Sequence, residues 1–343
     1  MKKILGFFKV GFVLGILVTI LGGCGVQPVS GSDAQSATQS VSKSDVSAEG
    51  NQDLWKMGEW QEKAMGGFEQ VHFYVPSSQS PIGKGRALLL VLHGCLQMPS
   101  AFLTANMENP AESYGAVIAL PNAIFKQGMK CWVFWRRPER EGNNDYAHIF
   151  NVVNTLLADK TLNIDPDQVY ISGLSSGGIY AMQMGCLAPD VFAGMGVFAA
   201  PSGGTPAHLT LQATRAGSAE GAAEKCLEYA GDNKTFFNTQ IMSAATGDSD
   251  PISHPAYAPQ NANAMAMVYG VRALPGVNRI EGGRGANEKV WENGRVSLLE
   301  IEAMGHNWSA GEGGRGSYVS PNGPNYTEYL LKFFSENNAR VKE

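Results

Sequence analysis

The residues Val169-Tyr170-Ile171 lead into Ser172-Gly173-Leu174-Ser175-Ser176-Gly177-Gly178, and an apolar stretch follows. A Gly-x-Ser-x-Gly run between a strand and a helix forces its middle residue, Ser175, onto a sharp turn. The hydroxyl then stands above the sheet edge, where it can act as a nucleophile. The flanking glycines suit a turn at which backbone and neighbouring strands crowd together. With 41 glycines among 343 residues the bare pattern arises readily by chance, so its meaning depends on partners elsewhere in the chain.

A serine hydroxyl needs a general base within hydrogen-bond reach. The six histidines are His72, His93, His148, His208, His254 and His306. A chain order of serine, acid, histidine leaves the last three. His306 follows an apolar segment ending near Ile301 and lies in the loop-like Ala303-Met-Gly-His-Asn-Trp-Ser309. His208, in a Gly/Ala-rich stretch, and His254, in a proline-rich one, read as exposed loop residues. The acid must fix the imidazole tautomer and stabilise its charged form. Asp250 completes Gly247-Asp-Ser-Asp250 after an apolar segment at 241–244, with Asp248 as the alternative; Asp190 reads as a turn cap. Two amide donors are expected to face the oxyanion: the N–H of Ser176, and that of Cys95 in the turn after Leu88–Leu92. The ring of His93 is expected to brace that turn rather than act as base.

The ends of the chain bear on location. Lys2 and Lys3 precede a mostly apolar stretch from Ile4 to Leu21 that closes in Leu21-Gly-Gly-Cys24. Residues 1–23 therefore read as a signal peptide whose end resembles a bacterial lipobox, with Cys24 the lipidated first residue of the mature chain. Acyl chains on Cys24 would hold the protein to a membrane without spanning it. Residues 24–53, rich in Ser, Ala, Gln, Asp and Gly, read as a flexible tether. The net charge of −5 becomes more negative once Lys2, Lys3 and Lys9 leave, which gives no electrostatic case for nucleic acid. An exported envelope lipoprotein or extracellular protein is expected. Cys95, Cys131, Cys186 and Cys226 remain, an even number in an exported chain, which suggests disulfides with three pairings open.

From residue 54 to 343 the patterning describes one domain. Val71, Phe73 and Val75 alternate as in a half-buried strand. Ala87–Leu92 and Ala116–Leu120 are continuous apolar runs that suit strands buried on both faces. Ile149, Val152, Val153, Leu156 and Leu157 recur at helical spacing, and a turn is expected at 163–167. After Ser175 come a helix over 179–187, strands over 195–200, 241–244 and 296–301, and a helix over 326–334. Such alternation predicts a mostly parallel sheet covered by helices on both faces, with sites at the carboxyl ends of its strands.

His93-Gly-Cys-Leu-Gln97, Cys131-Trp132, Tyr170–Gly178, Pro189-Asp-Val-Phe-Ala-Gly194 and Gly305-His-Asn-Trp-Ser309, taken together, resemble the poly(3-hydroxybutyrate) depolymerase-type esterases. These α/β-hydrolases are related to feruloyl and acetylxylan esterases, and the resemblance runs from about residue 68 to 335. It implies an α/β-hydrolase fold, a Ser175–Asp250–His306 triad, oxyanion donors at Cys95 and Ser176, and no metal or organic cofactor. It also implies a Cys95–Cys131 bridge, leaving Cys186–Cys226 as the second pair. Two departures stand out. Thr246-Gly247 replaces the His-Gly that often precedes the acid, and no polymer-binding module follows the domain, which favours soluble oligomeric or small esters. Trp132, Trp135 and Trp308 are candidate pocket walls, and residues 202–235 a candidate lid. The expected activity is serine esterase chemistry on carboxylic esters; the alternatives are acyl transfer by the same triad, or an inactive surface-binding lipoprotein.

Overall fold

Strands with apolar residues at consecutive positions need cover on both faces, and the chain supplies it with helices between them. The computed structural model describes residues 55–127, 129–203 and 217–341. The expected signal peptide, Cys24 and the tether lie outside the described residues. In chain order the strands are β1 (Trp60–Met65), β2 (Phe68–Tyr74), β3 (Arg86–Leu92), β4 (Ala116–Pro121), β5 (Lys126–Gln127), β6 (Cys131–Trp132) and β7 (Ile164–Leu174). They continue with β8 (Gly194–Phe198), β9 (Ile241–Gly247), β10 (Asn278–Ile280), β11 (Ala286–Val290), β12 (Val296–Ile301), β13 (Trp308–Ser309) and β14 (Val319–Ser320). The helices are α1 (Glu108–Tyr114), α2 (Asp145–Ala158), α3 (Ser176–Leu187), α4 (Ala219–Ala230), α5 (Tyr257–Tyr269) and α6 (Tyr326–Asn337).

Among the described residues, ten strands form one sheet in the order β1-β2-β4-β3-β7-β8-β9-β12-β11-β10. The six from β4 to β12 pair in parallel, and antiparallel strands extend both edges. Period-two geometry divides each buried strand between two cores. Leu88, Leu90 and Leu92 pack with Ile149, Val152 and Val153 of α2 and with residues of α3, α4 and α5. Leu89 and Val91 face Ala111 of α1 and Leu330 and Phe334 of α6. This is the expected α/β-hydrolase architecture in a single domain. Side chains start the flanking helices: Asn144 accepts from the Ala147 N–H at 2.9 Å before α2, and Asn325 from the Thr327 N–H at 3.0 Å before α6.

Three details differ from expectation. The turn before the nucleophile strand falls earlier than 163–167. Asn163 takes a left-handed conformation (φ 48°), and β7 already begins at Ile164, which pairs with Arg86. The polar β1, β10 and β11 were not foreseen, because edge strands with one solvated face lack a continuous apolar run. Finally, the described part of the candidate lid is not a lid. Ala222, Ala223, Cys226 and Ala230 of α4 are buried in the main core beside α3 and α5, while 204–216 lie outside the described residues.

Both disulfides are formed. Cys95–Cys131 brings its Cα atoms to 4.2 Å, and Cys186–Cys226 joins α3 to α4 with Cα atoms 4.8 Å apart at a sequence separation of 40. A cross-link over a loop of that length restricts the unfolded chain and is worth ~2–4 kcal/mol. Replacing Cys186 and Cys226 together by alanine should lower the unfolding free energy in urea by that amount. An unchanged denaturation midpoint would contradict this role.

Candidate active site

β7 ends at Leu174 and α3 starts at Ser176, so Ser175 alone makes the strand-to-helix turn. Its backbone sits at φ 56°, ψ −118°, a region that costs a non-glycine residue roughly 1–3 kcal/mol. The surroundings hold it there: its N–H donates to the Phe198 carbonyl at 2.9 Å, and its own carbonyl accepts from Ile179 at 3.0 Å. Behind the turn, a Cβ on Gly177 would overlap the backbone carbonyls of Leu92 and His93, so α3 can approach β3 closely only with glycine there. Ser176 is the first residue of α3, where an N–H lacks an intrahelical acceptor.

Two later loops bring the acid and the imidazole together. After β9, Asp248 donates its N–H to the Ile301 carbonyl at 3.0 Å, and Ser249 donates to the Met304 carbonyl at 3.1 Å. These two bonds tie the loop after β9 to the segment after β12. Gly247 lies at the crossing, and a Cβ there would overlap Met304 and Gly305. The result is a hydrogen bond of 2.7 Å from His306 Nδ1 to Asp250 Oδ2. The Asp250 side chain is fully buried and that of His306 nearly so. The second carboxylate oxygen, Oδ1, accepts the N–H groups of Ile252 at 2.8 Å and Ser253 at 2.9 Å. A buried carboxylate is thus satisfied on both oxygens. Asp248 instead accepts from the Ser249 hydroxyl at the exposed start of the loop and does not meet the imidazole. Asp190 pairs with Arg140.

Ser175, His306 and Cys95 line one cleft of about 100 Å³, walled by the apolar side chains of Leu96, Met129 and Ile252 and by Tyr318. The Cys95 loop is held from below. The His93 Nδ1–H donates to the Gly94 carbonyl at 2.8 Å, and the indole of Trp132 donates to the His93 carbonyl at 2.9 Å. His93 is buried, and that burial pushes its pKa down to about 4, so the ring stays neutral in this bracing role. Beside it, the Leu96 N–H donates to the Met129 carbonyl at 2.6 Å, next to the Cys95–Cys131 bridge.

The tryptophans expected as pocket walls do not line this cleft. Trp132 is fully buried between His93 and Tyr180, and Trp308 between Phe102, Phe198 and Tyr326. Both are core residues, as the large area of an indole favours. Trp135 is 42% exposed and packs on Phe134. The walls that sequence reasoning missed are single apolar residues in irregular segments. Leu96 and Tyr318 also carry positive φ (57° and 54°), which no sequence pattern announces. His208 lies outside the described residues. His254 takes the Ala256 N–H at 3.1 Å in its own loop, as a local cap. No group of three or more metal-ligating side chains occurs among the described residues.

Several known proteins resemble this chain. The chain is 38% identical over 284 residues to a poly(3-hydroxybutyrate) depolymerase from Ralstonia pickettii, covering 79% of this chain and 58% of that protein. It is 25% identical over 250 residues to poly(3-hydroxyalkanoate) depolymerase C from Paucimonas lemoignei, covering 69% of this chain and again 58% of the relative. The chain thus spans little more than half the length of either. Among solved structures, an acetyl xylan esterase from Aspergillus awamori superposes with a TM-score of 0.58 at 17% identity, over 72% of this chain and 94% of that one. The feruloyl esterase module from Clostridium thermocellum gives 0.50 at 12% identity, over 83% and 89%. These two similarities speak to the fold. Residues 72–283 match the family described as Esterase PHB depolymerase, and the chain belongs to that family.

Proposed function

We propose that this protein is a serine esterase that cleaves carboxylic esters through an acyl-enzyme on Ser175. The observation that carries the reading is the 2.7 Å contact between His306 Nδ1 and the buried Asp250 carboxylate, in a cleft that Ser175 also lines. With its Nδ1–H given to Asp250, the imidazole keeps Nε2 as its basic nitrogen. Ser175 Oγ forms a bond to the ester carbonyl carbon and passes its proton to Nε2, while the carbonyl π pair moves onto oxygen. The N–H groups of Cys95 and Ser176 receive that oxyanion. Collapse restores the carbonyl and breaks the bond to the alcohol oxygen, which leaves with the proton held by His306. A water molecule then repeats the sequence on the acyl-enzyme and frees the acid. Asp250 holds the imidazole in place and stabilises the imidazolium.

The apolar walls Leu96, Met129 and Ile252 suit the carbon chain of an acyl group or alcohol. The names of the relatives point to hydroxyalkanoate oligomers, or to acetyl and feruloyl esters, as the substrate class. The amino-terminal pattern and the two disulfides support export, with Cys24 lipidated and the domain tethered at a membrane surface.

The protein should release nitrophenol from short-chain nitrophenyl esters. Ser175→Ala should reduce kcat by a factor on the order of 10⁴ or more with an unchanged melting temperature. Asp250→Asn should lose on the order of 10⁴, because the amide no longer selects the Nδ1–H tautomer, and Asp248→Asn should stay within about twofold of wild type. Equal losses at the two aspartates, or wild-type inactivity across acetyl to octanoyl esters, would falsify the proposal. A screen of hydroxybutyrate oligomers, feruloylated sugars and acetylated xylan then resolves the natural ester class. For the anchor, expression of the full chain in bacteria should place it in the membrane fraction. Cys24→Ser should move it to the soluble fraction; an unchanged distribution would count against lipidation.

A further inference from the structure

The oxyanion loop is fixed on one side by the Cys95–Cys131 bridge and by the Leu96 N–H to Met129 carbonyl bond. The side that faces His306 has a different anchor. Gln97, two residues beyond Cys95, is completely buried, and its side-chain amide spans two segments far apart in sequence. Its Oε1 accepts the Gly94 N–H at 2.8 Å, and its Nε2 donates to the Ser317 carbonyl at 2.8 Å, 220 residues away. The partners leave one orientation of the amide, since an N–H can only donate and a carbonyl can only accept.

Ser317 is followed by Tyr318, and that segment is itself tightly placed. Tyr318 has φ 54°, its carbonyl accepts the Trp308 N–H at 2.9 Å, and β14 pairs with β13 just beyond it. Its ring meets the His306 ring edge-on with centroids 6.2 Å apart and forms part of the cleft wall. One glutamine amide therefore couples the loop that carries the Cys95 N–H to the segment packed against the imidazole.

We propose that Gln97 is a positioning residue for the oxyanion site: it sets the Cys95 amide relative to His306 by bridging Gly94 and Ser317. The proposal rests on the serine esterase reading. An oxyanion donor is effective because it is pre-aimed at the charge that develops, so a loop free to shift loses that benefit without losing ground-state binding. Loss of one such donor costs on the order of 10²–10³ in turnover, and a shift of about 1 Å on the order of 10². Gln97 makes no contact of its own with the cleft, so its influence would pass through the Gly94–Cys95 backbone.

The test uses the full chain with Gln97→Met, which keeps side-chain length and removes both polar functions, and Gln97→Asn, which keeps both functions but is one methylene too short to span them. With nitrophenyl butyrate, each variant should lose about 10- to 100-fold in kcat with KM within about twofold. The affinity of butylboronic acid, whose tetrahedral adduct on Ser175 needs the oxyanion donors, should fall by a similar factor, whereas inhibition by the product butyrate should change less than twofold. A purely structural glutamine would lower the melting temperature and leave kcat and boronate affinity near wild type, and that result overturns the proposal. The asparagine variant keeps the test decisive if the methionine variant does not fold. A wild-type protein that is inactive and fails to bind the boronate would sink the esterase reading itself, whereas active wild type with unaffected Gln97 variants sinks only this inference.

Discussion

The strained backbone of Ser175 is the constraint around which the rest is arranged. A residue at φ 56°, ψ −118° stays there only if its surroundings make every relaxed alternative worse. The neighbours do so with rigid groups: the end of β8 takes the Ser175 N–H, the first turn of α3 takes its carbonyl, and the glycine behind it lets β3 press against the helix. Six parallel strands align their carboxyl ends at one edge, so the connections after β3, β4, β7, β9 and β12 all reach the same cleft. The sheet thus serves as the rigid base on which these connections meet.

Division of labour among these loops follows from what each can offer. Those after β9 and β12 exchange backbone hydrogen bonds and hold an imidazole against a buried carboxylate. The loop after β3 is held by a disulfide, a buried neutral histidine and a glutamine bridge, and in the proposed mechanism it contributes backbone rather than side-chain chemistry. The two kinds of support suit the two tasks. A proton carrier needs a partner that stabilises its charge, whereas an amide donor needs only to be kept from moving.

Much of this was legible in the sequence, for identifiable reasons. The parallel strands announce themselves because burial on both faces demands unbroken apolar runs, as in Leu88–Leu92. Ser175, Asp250 and His306 could be picked out because the chemistry restricts residue type and chain order. The cleft walls were not legible: Leu96, Met129, Ile252 and Tyr318 are isolated residues whose positions depend on loop geometry. The tryptophans misled because indole rings fill cores as readily as pockets, and Trp132 and Trp308 went to the core. The Gly- and Ala-rich stretch 202–235 suggests a lid by its position alone, and position says nothing about burial: α4 within it packs into the core.

The span of the glutamine bridge bears on how the molecule comes into being. Ser175 emerges from the ribosome before Asp250 and His306 are made, and Gln97 must wait 220 residues for its second partner. Asp250 likewise waits for His306. No amino-terminal fragment that stops before Ser317 holds the complete arrangement. Synthesis itself therefore acts as a timer: the nascent chain carries a poised serine but no finished cleft until its last strands and loops have closed over the sheet.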